Sequence, residues 1–152
     1  MKCVVAGYGS RGDVEPCIAI GRELARRGHE VRMAVTVPPD MAAVVESAGL
    51  TAVPYGRECQ ELLGDEDFVR MIENPMEALP QAVDYIAQVF DDKSTTLLSV
   101  ADGADLLVAG MTEQGMAANV AEYYGIPLAA LHFFPPEILE TNAPRQLATS
   151  GR

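Results

Sequence analysis

No apolar run in this 152-residue sequence approaches the roughly 20 residues that a membrane-spanning helix needs. The N-terminus also lacks the apolar stretch of a secretory signal. A cytoplasmic protein is the expectation, at most peripheral to the inner face of the membrane. Cysteine is scarce. Cys3, Cys17 and Cys59 are odd in number and far apart, so they form neither a disulfide framework nor a metal-ligand pattern. Buried free thiols are expected. Positive charge is scarce as well: 11 Lys and Arg stand against 22 Asp and Glu, a net charge of −11. The first 56 residues are neutral, residues 57–102 carry −8 and residues 103–152 carry −3. Nucleic acid is therefore a poor partner, above all for the middle segment. Internal repeats and low-complexity tracts are absent too, which leaves an ordinary globular composition with 49% apolar residues.

What is present is an alternation of strand and helix signals. Cys3 to Ala6 is a short apolar run, read as a buried strand. Gly7-x-Gly9-x-x-Gly12 follows, then Asp13, where a helix is expected to begin, with Pro16 in its first turn. Val14, Cys17, Ile18, Gly21, Leu24 and Ala25 share one face of a helix predicted to end at Arg27, with Gly28 beyond it and His29 in the following turn. Val31 to Val35 is a second strand. Pro38-Pro39-Asp40 breaks the chain before a helix over Met41 to Ala48, and Leu50 to Val53 is a third strand. Glu58 to Leu63 and Glu66 to Ile72 each suit a short helix within an acid-rich excursion from Arg57 to Pro75. Asn74-Pro75-Met76-Glu77 reads as a capping sequence, with Pro80 marking a restart. A long helix then runs to Ala101, with Leu79, Val83, Ile86, Phe90, Leu97 and Val100 as its expected buried stripe. Ala104 to Ala109 is a fourth strand. Thr112 is expected to cap a helix over Glu113 to Tyr124, and Leu128 to His132 is a fifth strand. Glu137 to Arg152 gives no clear element. The order predicts an α/β fold, a Rossmann-like open parallel sheet flanked by helices.

The loop at Gly7 to Pro16 is the candidate site, because ligands of open parallel sheets bind at the carboxyl ends of the strands. A dinucleotide is one candidate ligand. Against it, Arg32 to Val37 contains no acid to hold a ribose, and a carboxylate at Asp13 opposes a pyrophosphate docking on the helix N-terminus. The alternative begins from Asp13. It is a good cap, a role worth about 1 kcal/mol. A carboxylate in that crevice can also take a proton from an attacking hydroxyl. Ser10, Arg11 and the N–H groups of Gly9 to Gly12 can then meet an anionic leaving group such as a diphosphate.

Gly9-Ser10-Arg11-Gly12-Asp13-Val14-Glu15-Pro16 resembles the opening of inverting glycosyltransferases of the two-domain GT-B fold. The likeness is to the branch that glycosylates glycopeptide antibiotics, macrolides, sterols and mycobacterial glycopeptidolipids. It continues through Gly21, Arg27-Gly28-His29-Glu30-Val31, Pro39, Met41, Ala48-Gly49-Leu50 and Gly125-Ile126-Pro127. The resemblance implies that Asp13 is the base that deprotonates the acceptor hydroxyl, where many relatives carry histidine in this loop. It implies that Gly9, Ser10, Arg11 and Gly12 face the donor diphosphate. Met111, Thr112, Glu113, His132 and Phe133, with Phe134 beside them, would line the acceptor pocket. The reaction implied is one displacement at the anomeric carbon, with inversion, no metal and no cofactor beyond the nucleotide-sugar co-substrate. The implied partners are a lipophilic hydroxylated acceptor, a nucleotide-sugar donor and a C-terminal donor-binding domain that these residues do not contain. Residues 1–152 are thus expected to form an N-terminal acceptor-binding domain, truncated and inactive alone. The alternatives are a non-catalytic ligand-binding module and an NAD(P)-binding Rossmann domain.

Overall fold

The computed structural model describes residues 1–36, 42–56, 64–74 and 76–133. The Pro38-Pro39-Asp40 breaker, the Glu58 to Leu63 helix, Cys59, Phe134 and the Glu137 to Arg152 tail lie outside the described residues.

Among the described residues five strands carry the fold: β1 (Lys2–Gly7), β2 (Glu30–Val35), β3 (Thr51–Pro54), β4 (Leu106–Ala109) and β5 (Leu128–Ala130). They form one sheet in the order β3-β2-β1-β4-β5, and every pairing is parallel. Val5 sits opposite Met33 on one side and Val108 on the other. The apolar run at Cys3 to Ala6 is the central strand, fully covered on both faces, which is why it shows no polar alternation. Growth of the sheet reverses between β1 and β4, so the switch point lies between the loops that leave these two strands.

Helices α1 (Arg11–Arg26) and α2 (Ala42–Ser47) cover one face. Val5, Met33, Val35 and Val108 there meet Val14, Cys17, Ile18 and Val45. Helices α4 (Leu79–Ala101) and α5 (Gln114–Tyr124) cover the other, where Val4, Ala6 and Leu107 meet Leu97, Val100, Met116 and Val120. The predicted face of α1 is the buried one. Gly21 lies in it because a Cβ there would stand 3.0 Å from Met33 Sδ. Gly28, at φ +85, ends that helix as expected.

Three expectations need correction. Helix α1 begins at Arg11, with Ser10 as its N-cap, so Asp13 is the third helical residue and Pro16 the sixth. Pro16 is therefore past the first turn, and it cannot donate to the Gly12 carbonyl. Thr112 is not a helix cap. A 3₁₀ turn, Met111–Glu113, precedes α5, and the Thr112 hydroxyl points elsewhere.

The third correction concerns α4. Leu97 and Val100 are buried, but Leu79, Val83, Ile86 and Phe90 are each at least half exposed. The reason is length. Twenty-three residues of helix span about 34 Å at 1.5 Å per residue, while strands of three to six residues span roughly 10–20 Å. Only the C-terminal part of α4 has sheet beneath it. The rest overhangs beside helix α3 (Glu66–Glu73), where Phe68 lies 5.6 Å from the Tyr85 ring and a cleft of about 690 Å³ opens between the two helices. The sheet end of α4 is closed by Arg32, whose Nη1 donates to the carbonyls of Val100 (2.8 Å) and Asp102 (3.0 Å). No described helix is long and apolar enough to cross a membrane.

Candidate functional site

The three glycines of the β1 loop have different physical duties. Gly7 lets α1 approach the sheet, since a Cβ there would lie 2.7 Å from Cys17 Sγ. Gly9 sits at φ +137, a conformation that side chains rarely adopt, and a Cβ on it would collide with the Asp13 carboxylate. Gly12 is exposed, with only Ser10 Oγ at 3.8 Å from where its Cβ would be. Two glycines are thus required by packing and backbone geometry, and the third leaves the helix N-terminus uncovered.

Asp13 does two things at once. Its Oδ2 accepts from the Ser10 N–H and from the Ser10 hydroxyl, both at 2.9 Å. This closes the first turn and fixes the carboxylate rotamer, with the α1 dipole favouring its negative charge. Both of these bonds fall on one oxygen, and Oδ1 takes none from the described residues. Asp13 is half-buried at the mouth of the switch point. Arg11 turns its Nε to Glu15 at 2.7 Å, on the exposed side of α1. The N–H groups of Arg11 and Gly12 occupy the first two helical positions, where no intrahelical acceptor exists.

The β4 and β5 loops come to the same edge. The Thr112 hydroxyl donates to the Tyr8 carbonyl at 2.6 Å and ties the β4 loop to the β1 loop across the switch point. Phe133 reaches over Gly110, where a Cβ would stand 3.6 Å from its ring and 3.3 Å from Cys17 Sγ. Met111 is partly buried in the same loop, while His132 is exposed, with Nε2 3.5 Å from Gln114 Nε2. Cys17, beneath the loop, donates to the Asp13 carbonyl at 3.4 Å. Burial pushes its thiol up to about 11, with the charges of Asp13 and Glu113 adding to the effect.

Glu113 differs from its neighbours. It is 1% exposed, and each oxygen has a partner: the Tyr55 hydroxyl donates to Oε2 at 2.5 Å and Lys93 Nζ to Oε1 at 2.6 Å. Lys93 Nζ also stands 3.8 Å above the Tyr8 ring, and Tyr55 meets that ring edge-on at 6.5 Å. Burial foremost, then the bond to Glu113, holds the Tyr55 hydroxyl well above the ordinary phenol value. Sequence reasoning missed Lys93, Tyr55 and Tyr8. A signal existed for one of them, because Lys93 falls on the α4 apolar stripe between Phe90 and Leu97, where a surface lysine does not belong.

Among the described residues no three His, Cys, Asp or Glu side chains are gathered to hold a metal ion. The described end of β2, Val35 and Thr36, offers no carboxylate for a ribose, and the Thr36 hydroxyl is bonded to the Tyr55 carbonyl. Residues 3–140 match the glycosyltransferase family 28 N-terminal domain.

The chain belongs to that family.

An uncharacterised glycosyltransferase of Mycobacterium tuberculosis is 52% identical over 139 residues, which cover 89% of this chain and 33% of that protein. Glycosyltransferase GtfE of Amycolatopsis orientalis is 33% identical over 129 residues, 84% of this chain and 29% of that protein. Among solved structures, the Streptomyces glycosyltransferase SsfS6 in complex with thymidine diphosphate superposes with a TM-score of 0.57 at 21% identity. The superposition covers 93% of this chain and 41% of that one. The domain therefore has the fold of the N-terminal half of a GT-B glycosyltransferase, and the chain spans about a third of the length of the curated relatives it matches.

Proposed function

We propose that this chain is the acceptor-side domain of an inverting glycosyltransferase. The enzyme moves a sugar from a nucleotide-sugar to a hydroxyl of a lipophilic acceptor, and Asp13 is the general base. The observation that carries the reading is the division of labour within one carboxylate. Oδ2 is committed to Ser10, which holds the group still, and Oδ1 is left for a proton.

In the proposed reaction the acceptor hydroxyl lies against Asp13 Oδ1. Its oxygen attacks the anomeric carbon as the bond from that carbon to the diphosphate breaks on the opposite face. The proton passes to Asp13, the bonding pair leaves with the nucleoside diphosphate, and the configuration at the carbon inverts. The first-turn N–H groups of Arg11 and Gly12, at the positive end of α1, suit the departing charge. The Ser10 N–H and hydroxyl both donate to Asp13, so the anion would be met by the flanking amides rather than by Ser10. The thymidine diphosphate held by SsfS6 supports a nucleotide-sugar donor here. Met111 and Phe133 at the same edge support an apolar acceptor. In this reading the donor is held mainly by a C-terminal domain, and the present chain alone has little or no turnover. The experiment is acceptor-dependent release of nucleoside diphosphate by the intact protein, for the parent and for Asp13→Asn, with the product's anomeric configuration read by NMR.

A further inference from the structure

The Lys93–Glu113–Tyr55 cluster sits beneath the loop that holds Asp13, and nothing in the proposed chemistry uses it. Its three members come from α4, from the turn after β4 and from the segment after β3. All are nearly inaccessible: Lys93 is 8% exposed, Glu113 1% and Tyr55 0%. A buried ion pair is a poor stabilising element, because desolvating both charges offsets most of their attraction. Its usual benefit is to fix one geometry among several. What this cluster fixes is Tyr8. The Lys93 ammonium lies on one face of the Tyr8 ring, and the Tyr55 ring meets it edge-on. Gly56, at φ +71, closes against the ring so tightly that a Cβ there would stand 2.5 Å from Tyr8 Cε2. The Tyr8 carbonyl is held separately, by the Thr112 hydroxyl. Ring and carbonyl together set the plane of the Tyr8–Gly9 peptide. Gly9 is the residue against which the Asp13 carboxylate rests.

We propose that Lys93, Glu113 and Tyr55 form a buried clamp on Tyr8 that positions the Asp13 loop. Lys93 and Tyr55 are positioning residues in this scheme, too buried for donor or acceptor to reach, and Tyr8 acts through its neighbour Gly9. The catalytic part of the proposal rests on Asp13 being the base; the positional part does not.

The test is therefore read in two ways. In this chain, Lys93→Met with Glu113→Gln removes both charges and keeps an acceptor for the Tyr55 hydroxyl. Ser10 amide exchange, which reports the bond to Asp13, should quicken about tenfold or more, while exchange at Gly28, at the far end of α1, stays within about twofold. Lys93→Arg, which keeps a cation over the Tyr8 ring, should hold Ser10 close to the parent. Tyr8→Leu removes the ring and leaves the buried pair intact; it should loosen Ser10 as the double variant does, and it serves if the double variant fails to fold. In the intact protein the double variant should lower kcat about tenfold or more with the donor KM unchanged. Unchanged Ser10 exchange, or an equal rise at Ser10 and Gly28, would overturn the clamp and leave the cluster as packing only. Loosened Ser10 with no sugar transfer even by the parent would sink the glycosyltransferase reading and leave the clamp standing.

Discussion

Asp13 and Glu113 follow the two strands that flank the switch point, and the fold treats these two carboxylates in opposite ways. Asp13 is half-exposed, with both hydrogen bonds on one oxygen. Glu113 is sealed, with one oxygen on Tyr55 and the other on Lys93. A group that must accept a proton needs an open lone pair and a fixed rotamer, which Asp13 has. A group sealed from solvent with a buried donor on each oxygen, as Glu113 is, presents neither oxygen to an incoming hydroxyl. Proximity to the cleft therefore does not make a base; the state of each oxygen does.

The largest test of that contrast is Glu113→Leu. It leaves the Lys93 ammonium buried without its partner and the Tyr55 hydroxyl without its acceptor, so urea unfolding should show a loss of about 3–5 kcal/mol. A loss under about 1 kcal/mol would mean that Lys93 reaches water easily and that the site is not sealed. Next is Gly9→Ala. The positive φ and the collision with Asp13 together should cost about 1–3 kcal/mol by the same measurement. An unaffected Gly9→Ala protein would show that the carboxylate can rest elsewhere. The smallest effect is alkaline. Cys17 has its thiol raised from an ordinary value of 9.0 to about 11, so both states keep it neutral below pH 9. Between pH 9 and 11 the unfolded chain ionises while the folded one resists, and stability falls as pH rises. Cys17 should account for about 1 kcal/mol of that loss at pH 10, so Cys17→Ala should flatten the slope by this amount. The raised Tyr55 hydroxyl adds loss in the same direction.

Much of the fold was legible because local signals agreed with the global arrangement. The central apolar run, the amphipathic face of α1 and the glycines at 28 and 125 stand where their chemistry puts them. The stripe on α4 shows where legibility ends. Leu79 to Phe90 and Leu97 to Val100 have the same spacing and opposite burial. Periodicity names a face, but only the length of the neighbouring strands decides whether anything covers it. The Asp13 loop was readable as strand, turn and helix. The three-residue error in the helix start arose because Asp at N3 and Asp at N-cap look alike without the Ser10 geometry. Beyond the misplaced lysine on the α4 stripe the clamp had no sequence signal, since Tyr8, Tyr55, Lys93 and Glu113 are brought together only by the parallel topology.

The measurement that bears most directly on the proposed reaction is kcat of the intact protein carrying Asp13→Asn. Asparagine keeps an oxygen for the Ser10 N–H and hydroxyl and gives up the charge's attraction to the N-terminus of α1, worth about 0.3–1 kcal/mol, so the fold should hold with a small drop in Tm. Its amide cannot take the acceptor's proton, so kcat should fall roughly 10²- to 10⁴-fold, with little change in donor KM. Parental turnover in that variant would contradict the role given to Asp13 and leave its carboxylate as a brace for the first turn of α1.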